Sequence, residues 1–386
     1  MILFWSSVAA SVVAMVGCGY LVTAAILLGR FARDRASVCP AAAPGVTILK
    51  PLHGDEPGLF DNLTSFCVQN YPGPVQIVCG VQDPNDAAVA VVERLREMQA
   101  DRDLDLVIET KVHGLNRKVS NLVNMAPRIR HDVIVLADSD MRADAGYLCR
   151  VIAALEQPGV GAVSCLYYGV GVTGVLARLS ALIINAQFLP SVVVGLALGL
   201  ARPCFGSTLA FRRASLAEIG GFRPFADCLA DDYAMGEALR AHGCKISIPS
   251  FAVAHICTQT SLRELWRQQL RWGRTIRSID PPGYAGSIVS HALPWALIAA
   301  LLGAGSTALL PAAGIAVVAI ACRMALLRQV ERAYALPPQA YWLVPACDLL
   351  SFAVFVFSFL SWEVSWKGRR FRMVAGGAWV ADRGAH

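Results

Sequence analysis

The chain has 386 residues, of which 55% are hydrophobic and only 16% are charged, and its mean hydropathy is +0.50. This composition excludes a wholly soluble protein, so part of the chain must lie in lipid. The net charge of +6 is modest, and no block of Lys and Arg is interleaved with aromatic residues as on a nucleic-acid surface. Contact with a membrane surface or with an anionic small substrate explains this positive charge better than binding to nucleic acid does.

The first membrane segment is predicted at residues 1–30. Residues 1–29 carry no charge and are long enough to span a bilayer, whereas a cleavable signal peptide would have a basic start and a shorter apolar core. Arg30, Arg33 and Arg35 follow, and basic residues at this position predict that the next part of the chain is cytoplasmic.

Residues 40–280 are predicted to form an α/β domain, which begins with a linker of Pro, Ala and Gly at 39–45. Short β-branched runs alternate with longer helical patterns, which implies right-handed βαβ crossovers and a mostly parallel sheet of the nucleotide-binding type. The predicted strands are 46–50, 75–81, 104–109, 133–137 and 162–168. The predicted helices between them are 59–69, 87–99, 117–125 and 145–155.

A second apolar stretch, 173–200, has the length of a membrane span but contains Arg178 and Gln187. A crossing here would place the residues after 200 on the opposite side from those before 173. We therefore predict an interfacial or re-entrant segment that stays on the cytoplasmic side. Globular sequence resumes beyond it, with helices at 231–242 and 262–277 and a strand at 245–249.

The C-terminal part is predicted to be a membrane region over residues 286–364. Its apolar blocks, near 288–303, 309–327 and 341–362, are each long enough to span, and they predict two to three spans. A basic tail follows at 365–386.

Asp138 and Asp140 directly follow the apolar run at 133–137. Side chains at i and i+2 of an extended chain leave the backbone on the same side, so these two carboxylates could share one divalent cation. Mg²⁺ and Mn²⁺ prefer oxygen ligands and complete their coordination with phosphate or water. The pattern predicts a metal-diphosphate site at the carboxyl end of a parallel strand, where open α/β sheets bind ligands. A solvated acidic turn is the alternative.

Other aspartates also occupy positions suited to chemistry. Asp83 lies just beyond the second predicted strand, where it could accept the imide N–H of uracil, although an Asx turn is the alternative. Asp231 and Asp232 begin a predicted helix, where acidic residues commonly act as caps. One of the two could instead be the general base that deprotonates a sugar-accepting hydroxyl.

Gln268, Arg271 and Trp272 lie at i, i+3 and i+4 and share one face of a predicted helix. The planar guanidinium of Arg271 could bind phosphate, and Trp272 could pack on an acceptor. The alternative is an interfacial anchor, because Trp and Arg often lie along a helix that precedes membrane spans.

Taken together, these motifs resemble, in order and spacing, the membrane-bound inverting glycosyltransferases of family 2. The matching motifs are VTILKPLHGDEP, VQDPND, ADSD, FGSTLAFRR, LADDY and QQLRW. Within that family the chain is most similar to the ceramide glucosyltransferases and to the hopanoid-associated glycosyltransferases, and the resemblance covers essentially the whole chain. It implies a GT-A fold, a UDP-sugar donor, a lipid acceptor, and Mg²⁺ or Mn²⁺ as the cofactor.

The resemblance also implies roles for the matching residues. Asp232, the second acid of LADDY, would be the base, while Asp138 and Asp140 would hold the metal and diphosphate. The remaining implied contacts to nucleotide, diphosphate or acceptor are Asp55, Asp83, Lys118, Gln268, Arg271 and Trp272. The ceramide enzymes carry Asp-Ser-Gly where this chain has Asp-Ser-Asp, and this departure leaves the acceptor open.

We therefore expect an integral membrane enzyme, with its catalytic domain at the cytoplasmic face of a bacterial inner membrane, that moves one hexosyl residue from a UDP-sugar to a lipid hydroxyl. Two alternatives remain. A processive polysaccharide synthase would need more membrane helices to form a channel. A non-catalytic membrane scaffold or transporter component would not need the full set of acidic positions.

Overall fold

A computed structural model describes residues 1–33, 43–366, 369–373 and 379–381. Arg35, most of the predicted linker at 39–45 and much of the predicted tail at 365–386 lie outside the described residues. The strands, in chain order, are β1 (Val46–Pro51), β2 (Val75–Val81), β3 (Asp103–Ile108), β4 (Val133–Leu136), β5 (Met141–Arg142), β6 (Val160–Ser164), β7 (Leu166–Gly171), β8 (Leu209–Arg212), β9 (Lys245–Ser247), β10 (Ala252–Cys257), β11 (Glu363–Trp366), β12 (Arg369–Met373) and β13 (Trp379–Ala381).

The helices alternate with the strands in the first half of the chain and dominate the second half. In chain order they are α1 (Ile2–Phe31), α2 (Leu59–Cys67), α3 (Ala88–Met98), α4 (Arg117–Met125), α5 (Tyr147–Leu155), α6 (Val175–Ile183), α7 (Leu189–Ala197), α8 (Arg213–Glu218), α9 (Asp231–Ala241), α10 (Leu262–Ile279), α11 (Pro281–Gly286), α12 (Ala292–Leu302), α13 (Leu309–Tyr334) and α14 (Val344–Ser358).

A seven-stranded sheet in the order β3-β2-β1-β4-β8-β6-β9 forms the centre of the α/β domain. The first four strands are parallel, β8 is antiparallel to both of its neighbours, and β6 is parallel to β9. The predicted mostly parallel sheet is thus confirmed. A second sheet, β5-β10-β7, packs beside it, and β11, β12 and β13 form an antiparallel meander.

The strands of the large sheet are apolar because helices cover both faces, as in other parallel sheets. On one face, side chains of α2, α3 and α5 enclose an apolar core with β1, β2 and β4. On the other face, α4, α8 and α9 enclose a second core. This arrangement leaves the carboxyl ends of β1, β2 and β4 open at one edge.

Two local predictions need correction. The strand predicted at 162–168 is divided at Cys165, whose N–H bonds the Thr208 carbonyl, and the two halves belong to different sheets as β6 and β7. The strand β10 was not predicted. Its six residues are all buried, so its sequence lacks the alternation of a half-buried strand, and periodicity alone does not distinguish such a short apolar run from a buried helical segment.

Among the residues that the structure describes, four helical segments are long and apolar enough to cross a membrane, and a fifth is possible if a bent pair counts as one span. The four are 2–31, 175–197, 309–334 and 341–358. The bent pair joins Pro281–Ser290 to Ala292–Leu302 at an angle of 62°. Helices α1, α12 and α13 pack together around small and apolar side chains. The segment at 175–197 consists of α6, a π-helix at Ile184–Phe188 and α7.

The amphipathic helix α10 connects the α/β domain to this bundle. Ser261 caps its first turn by accepting a hydrogen bond from the Glu264 N–H at 3.2 Å. The Trp266 ring packs edge-on against Phe357 of α14, with ring centroids 5.4 Å apart. The Arg277 guanidinium lies 3.8 Å from the centroid of the Trp362 ring. The helix therefore has one face on the bundle and the other toward the sheet edge.

Candidate active site

Lys118 lies between two carboxylates at the open edge of the sheet. It sits in the first turn of α4, where the side chain of the cap residue Asn116 accepts the Val119 N–H. Its Nζ atom is 2.7 Å from Asp138 Oδ1 and 3.3 Å from Asp231 Oδ2. Burial lowers the pKa of Lys118, but the nearby carboxylates more than offset this effect and raise it overall. Lys118 is therefore a permanent cation within an acidic cluster.

Asp138 and Asp140 do not follow the extended geometry predicted for them, because the chain turns at residues 139–140. Asp138 faces Lys118, and its carbonyl accepts a hydrogen bond of 2.6 Å from the buried Lys50 Nζ. Asp140 Oδ2 instead lies 3.5 Å from His255 Nδ1. The turn thus directs the two carboxylates to different neighbours at the same edge of the sheet.

Asp232, the second of the two acids that begin α9, is held in place by two backbone N–H groups. Its Oδ2 accepts the Gly206 N–H at 2.7 Å and its Oδ1 accepts the Tyr233 N–H at 2.9 Å. Burial and then the charge of Asp231 raise the pKa of Asp232 to about 6. Asp231 itself is engaged by Lys118 and by the Asn116 side-chain amide, at 3.1 Å. The structure therefore gives the two neighbouring acids different environments.

Gly206 requires a residue without a side chain because its backbone passes directly beside the cluster. A Cβ atom at this position would lie 2.6 Å from Asp138 Oδ2 and 2.9 Å from Lys118 Nζ. Such contacts would force the ion pair apart. Because this residue is a glycine, its backbone can contact both acids. Its N–H donates to the Asp232 carboxylate, and its carbonyl accepts the Asp138 N–H at 3.1 Å.

His255 was missed by the sequence analysis together with its strand, β10. Its ring is buried between Tyr167, 5.6 Å away, and Trp272, 5.8 Å away. Burial lowers the pKa of His255, but the charge of Asp140 is the main opposing effect, and the pKa is raised to about 9. The available signal was a single histidine within the apolar run AVAHIC.

Arg271 reaches the same cluster from α10. Burial lowers the pKa of its guanidinium, while the charges of Asp140, Asp138 and Asp232 oppose that effect. Arg271 therefore lies within electrostatic range of all three acids. Trp272 packs on His255 and on the small side chains of α6 rather than lying exposed as an interfacial anchor. Gln268 accepts a hydrogen bond of 2.6 Å from the Gln259 side chain.

Asp55 and Asp83 are exposed on two neighbouring loops, after β1 and β2. Asp83 Oδ1 accepts the Asn85 N–H at 2.9 Å, so the Asx turn considered as the alternative is present. The nearly buried Asp86 connects the two loops, because its Oδ1 accepts the Gly54 N–H at 2.8 Å. The two predicted nucleotide contacts therefore lie at the rim and not within the acidic cluster.

The residues at the turn fit a divalent cation that also binds phosphate. Asp140 Oδ1 is buried without a hydrogen-bond partner, and Asp138 and Asp140 supply the oxygen donors that Mg²⁺ and Mn²⁺ prefer. Within the described ranges, no group of three or more His, Cys, Asp or Glu side chains is arranged to hold a metal ion. The carboxylates thus provide part of a coordination shell, as in sites where substrate phosphates complete it.

The fold was compared with solved structures. A mannosyltransferase from Pyrobaculum calidifontis, solved in complex with GDP-Man and Mn²⁺, matches 92% of this chain and 99% of its own, with a TM-score of 0.53 and 21% identity. This likeness confirms the GT-A fold implied by the motifs. The chain thus combines a fold that it shares with a mannosyltransferase, acids clustered at the sheet edge and, among its described helices, several that are long and apolar enough to cross a membrane.

Sequence comparisons identify the family to which the chain belongs. The model of glycosyl transferase family 21 matches residues 9–379, so the chain belongs to that family. Ceramide glucosyltransferase 1 of Caenorhabditis elegans is 25% identical over 231 residues, which cover 59% of this chain and 49% of that protein. A ceramide glucosyltransferase of Candida albicans is 30% identical over 123 residues, which cover 29% of this chain and 23% of that protein. The chain spans at most about half the length of these relatives.

Family membership confirms the predicted enzyme class and the resemblance to ceramide glucosyltransferases. It also sets aside the alternative of a non-catalytic scaffold, because the family is one of glycosyl transferases.

Proposed function

We propose that this enzyme transfers a single hexosyl residue, glucose or N-acetylglucosamine, from a UDP-sugar to a lipid hydroxyl, such as that of ceramide or a hopanoid polyol, with inversion. The convergence of Asp138, Asp140, Asp232, Lys118 and Arg271 at one sheet edge carries this proposal. These residues come from four separate elements or turns, and they meet beside helices apolar enough for a bilayer.

The donor would bind with its diphosphate among Lys118, Arg271 and the two acids of the turn. Asp138 and Asp140 would hold Mg²⁺ or Mn²⁺, which stabilises the negative charge that develops on a leaving diphosphate. Arg271 would bind phosphate oxygens with its planar guanidinium. The Mn²⁺ bound by the structurally similar mannosyltransferase supports the use of a divalent cation. Uracil would lie near the loops of Asp55 and Asp83, at the rim.

Asp232 would act as the general base. Its raised pKa of about 6 still leaves it mostly ionised at neutral pH, and it makes the carboxylate a stronger base than an ordinary aspartate. The Gly206 and Tyr233 N–H groups fix its orientation. A base that deprotonates the acceptor for direct attack on the donor sugar would invert the anomeric centre. Asp231 would remain a partner of Lys118 and Asn116.

The acceptor would arrive from the membrane. Half-buried Trp272 and the α6 segment lie between the catalytic cluster and the apolar bundle, which suits a lipid substrate. We further propose that the α/β domain faces the cytoplasm of a bacterial cell, because basic residues follow α1. The segment at 175–197 would then be interfacial or re-entrant, as predicted. The channel of a processive synthase would need more membrane helices than the four or five candidate spans among the described residues, so this number favours the transfer of a single sugar.

The test uses the full chain purified in detergent, with UDP-glucose or UDP-N-acetylglucosamine, Mn²⁺ and lipid acceptors. We expect a lipid carrying one sugar with inverted anomeric configuration, and its loss in Asp232→Asn. The matched variant Asp231→Asn, at the adjacent position, should retain measurable activity. A polymeric product would favour the processive alternative, and full activity in Asp232→Asn would refute the base assignment.

A further inference from the structure

A basic groove lies where the end of α1 meets the end of α13. It has a volume of about 320 Å³, within the range of small-molecule pockets, about 300–1,000 Å³. Its lining residues are Gly29, Ala32 and Arg33 at the end of α1, and Gln329, Arg332 and Ala333 in the last turns of α13. None of these residues belongs to the acidic cluster at the sheet edge.

The basic groove is placed at one end of two candidate membrane spans. Helices α1 and α13 are both long and apolar enough to cross a membrane, and they pack together through side chains such as Leu21 and Leu326. Near the groove, Leu28 and Val330 pack with Leu166 of β7. The groove therefore lies where the two helices leave the apolar bundle and meet the α/β domain, the level at which lipid head groups are found.

The charge of the basic groove is positive. Arg33 and Arg332 are exposed, and neither forms an ion pair with any residue that the structure describes. Arg30, also exposed, adds a third cation at the end of α1. The neighbouring acid Glu331 is 2% exposed and is already paired with Arg328 at 2.8 Å. The groove therefore attracts an anion.

The donors of the basic groove suit a phosphate group. A Cβ atom at Gly29 would lie 2.7 Å from Gln329 Nε2, so the glycine gives this amide room beside α1. The amide adds neutral N–H donors to the guanidinium groups of Arg33 and Arg332. Guanidinium groups bind phosphate oxygens through two parallel N–H bonds. A phosphate can accept from all of these donors at once.

Exposed apolar side chains continue from the basic groove along both helices. Val22, Ile26, Gly29 and Arg33 are spaced by four, three and four residues, so they share one face of α1. Val22 and Ile26 are 48% and 51% exposed. Val318, which is 45% exposed, lies about three turns before the lining residues of α13 and on the same side. These surfaces suit acyl chains, so the phosphate is best supplied by a membrane phospholipid.

We propose that the basic groove binds the head group of an anionic phospholipid, with the acyl chains along the exposed apolar faces of α1 and α13. Basic pockets between membrane helices bind such head groups. A zwitterionic phospholipid carries a cation that Arg33 and Arg332 repel, so a head group with net negative charge is preferred. The bound lipid would hold the two helices together and stabilise the protein. This inference does not depend on the proposed function.

The experiment measures lipid binding to the full chain, purified in detergent and depleted of lipid, by native mass spectrometry. The probes are dioleoyl phosphatidylglycerol, phosphatidylcholine with the same acyl chains, and inorganic phosphate. We expect phosphatidylglycerol to bind at least about tenfold more tightly than phosphatidylcholine and to raise the melting temperature of the protein more. Inorganic phosphate should not displace phosphatidylglycerol at equal concentration, because it lacks the acyl chains.

The variant Arg33→Gln/Arg332→Gln removes both lining cations. Each basic residue close to an anionic head group contributes about fivefold to affinity, so phosphatidylglycerol should bind roughly 25-fold more weakly and phosphatidylcholine as before. Arg33→Lys/Arg332→Lys keeps the charge and should lose about fivefold or less. The matched control Arg128→Gln/Arg223→Gln removes the same charge from exposed positions of the α/β domain and should bind both lipids like the wild type.

Three results would overturn the proposal. The first is equal affinity of the wild type for the two lipids, or phosphatidylglycerol binding that Arg33→Gln/Arg332→Gln leaves unchanged. The second is an equal loss of binding in the control pair, which would show attraction to the overall positive charge of the protein. The third is inorganic phosphate binding as tightly as phosphatidylglycerol, which would exclude a lipid as the ligand.

Discussion

The pH dependence of transfer is the sharpest test of Asp232 as the base. Burial and the charge of Asp231 raise its pKa to about 6, and a base must be deprotonated to act. Activity should therefore be present above pH 6 and lost as the pH falls through this value. A single titrating group with this pKa is ~90% ionised at pH 7 and ~10% at pH 5, so we expect kcat/KM, which reports the ligand-free enzyme, to be about tenfold lower at pH 5 than at pH 7.

The midpoint of this pH profile should depend on the neighbouring acid, Asp231. Asp231→Asn removes the largest electrostatic contribution to the raised pKa of Asp232. Its removal should move the midpoint of the pH profile below that of the wild type, so kcat/KM at pH 5 should recover toward its value at pH 7. Asp232→Asn should lower kcat/KM by roughly 10³-fold at pH 7 and above, within the range of general-base catalysis, and by less at pH 5, where Asp232 of the wild type is mostly protonated.

The assay measures initial rates of sugar transfer from labelled UDP-sugar to lipid between pH 4.5 and 8.5, with saturating Mn²⁺ and both substrates below their KM values, so that the rates report kcat/KM. Asp101→Asn, an exposed position on the α3–β3 connection, is the matched control and should reproduce the wild-type profile. A wild-type midpoint below pH 4.5, or a midpoint that Asp231→Asn leaves unmoved, would refute the reasoning from burial and neighbouring charge.

Three further predictions address the cation, the ion pair and the loops. Chelation of divalent cations should abolish transfer, and added Mn²⁺ should restore it. Asp140→Asn should raise the Mn²⁺ concentration that gives the half-maximal rate at least about tenfold. Transfer that persists in the presence of chelator would contradict the metal site. Lys118→Met should lower the free energy of unfolding by ~2 kcal/mol, since it leaves the buried Asp231 carboxylate without its cation, and unchanged denaturation in detergent would argue against this. Asp86→Ala should raise the KM for UDP-sugar about tenfold with the lipid KM unchanged, because it separates the loops of Asp55 and Asp83; a matching rise in both KM values would exclude a role specific to the nucleotide.

Much of the α/β domain could be predicted because its signals are local. The strand at 75–81 and the helix at 117–125 have the predicted bounds, since β-branched runs and helical periodicity there coincide with burial. The division of the 162–168 strand could not be predicted in this way. It depends on a hydrogen bond between Cys165 and Thr208, and no local pattern records a contact across that distance in the chain.

The candidate site, too, could be predicted only as far as local sequence patterns allow. The acidic motifs predicted Asp138 and Asp232 as site residues by position, but the placement of Lys118 between Asp138 and Asp231 and the different environments of Asp231 and Asp232 depend on how α4 and α9 meet. His255 carries no motif at all, and only the pairing of β10 with β5 brings it to Asp140. Sequence patterns thus indicate which groups are suited to chemistry, while the tertiary fold decides which of them interact.

The position of α10 has a practical consequence for work on this enzyme. The helix that carries Arg271 also packs its Trp266 and Arg277 against aromatic rings of the last candidate span and of the segment just after it. A fragment cut off before the membrane spans would expose this face to water and release the helix from its support. We expect such a fragment to aggregate or to lose donor binding, so biochemical work should keep the protein whole and solubilised by lipid or detergent.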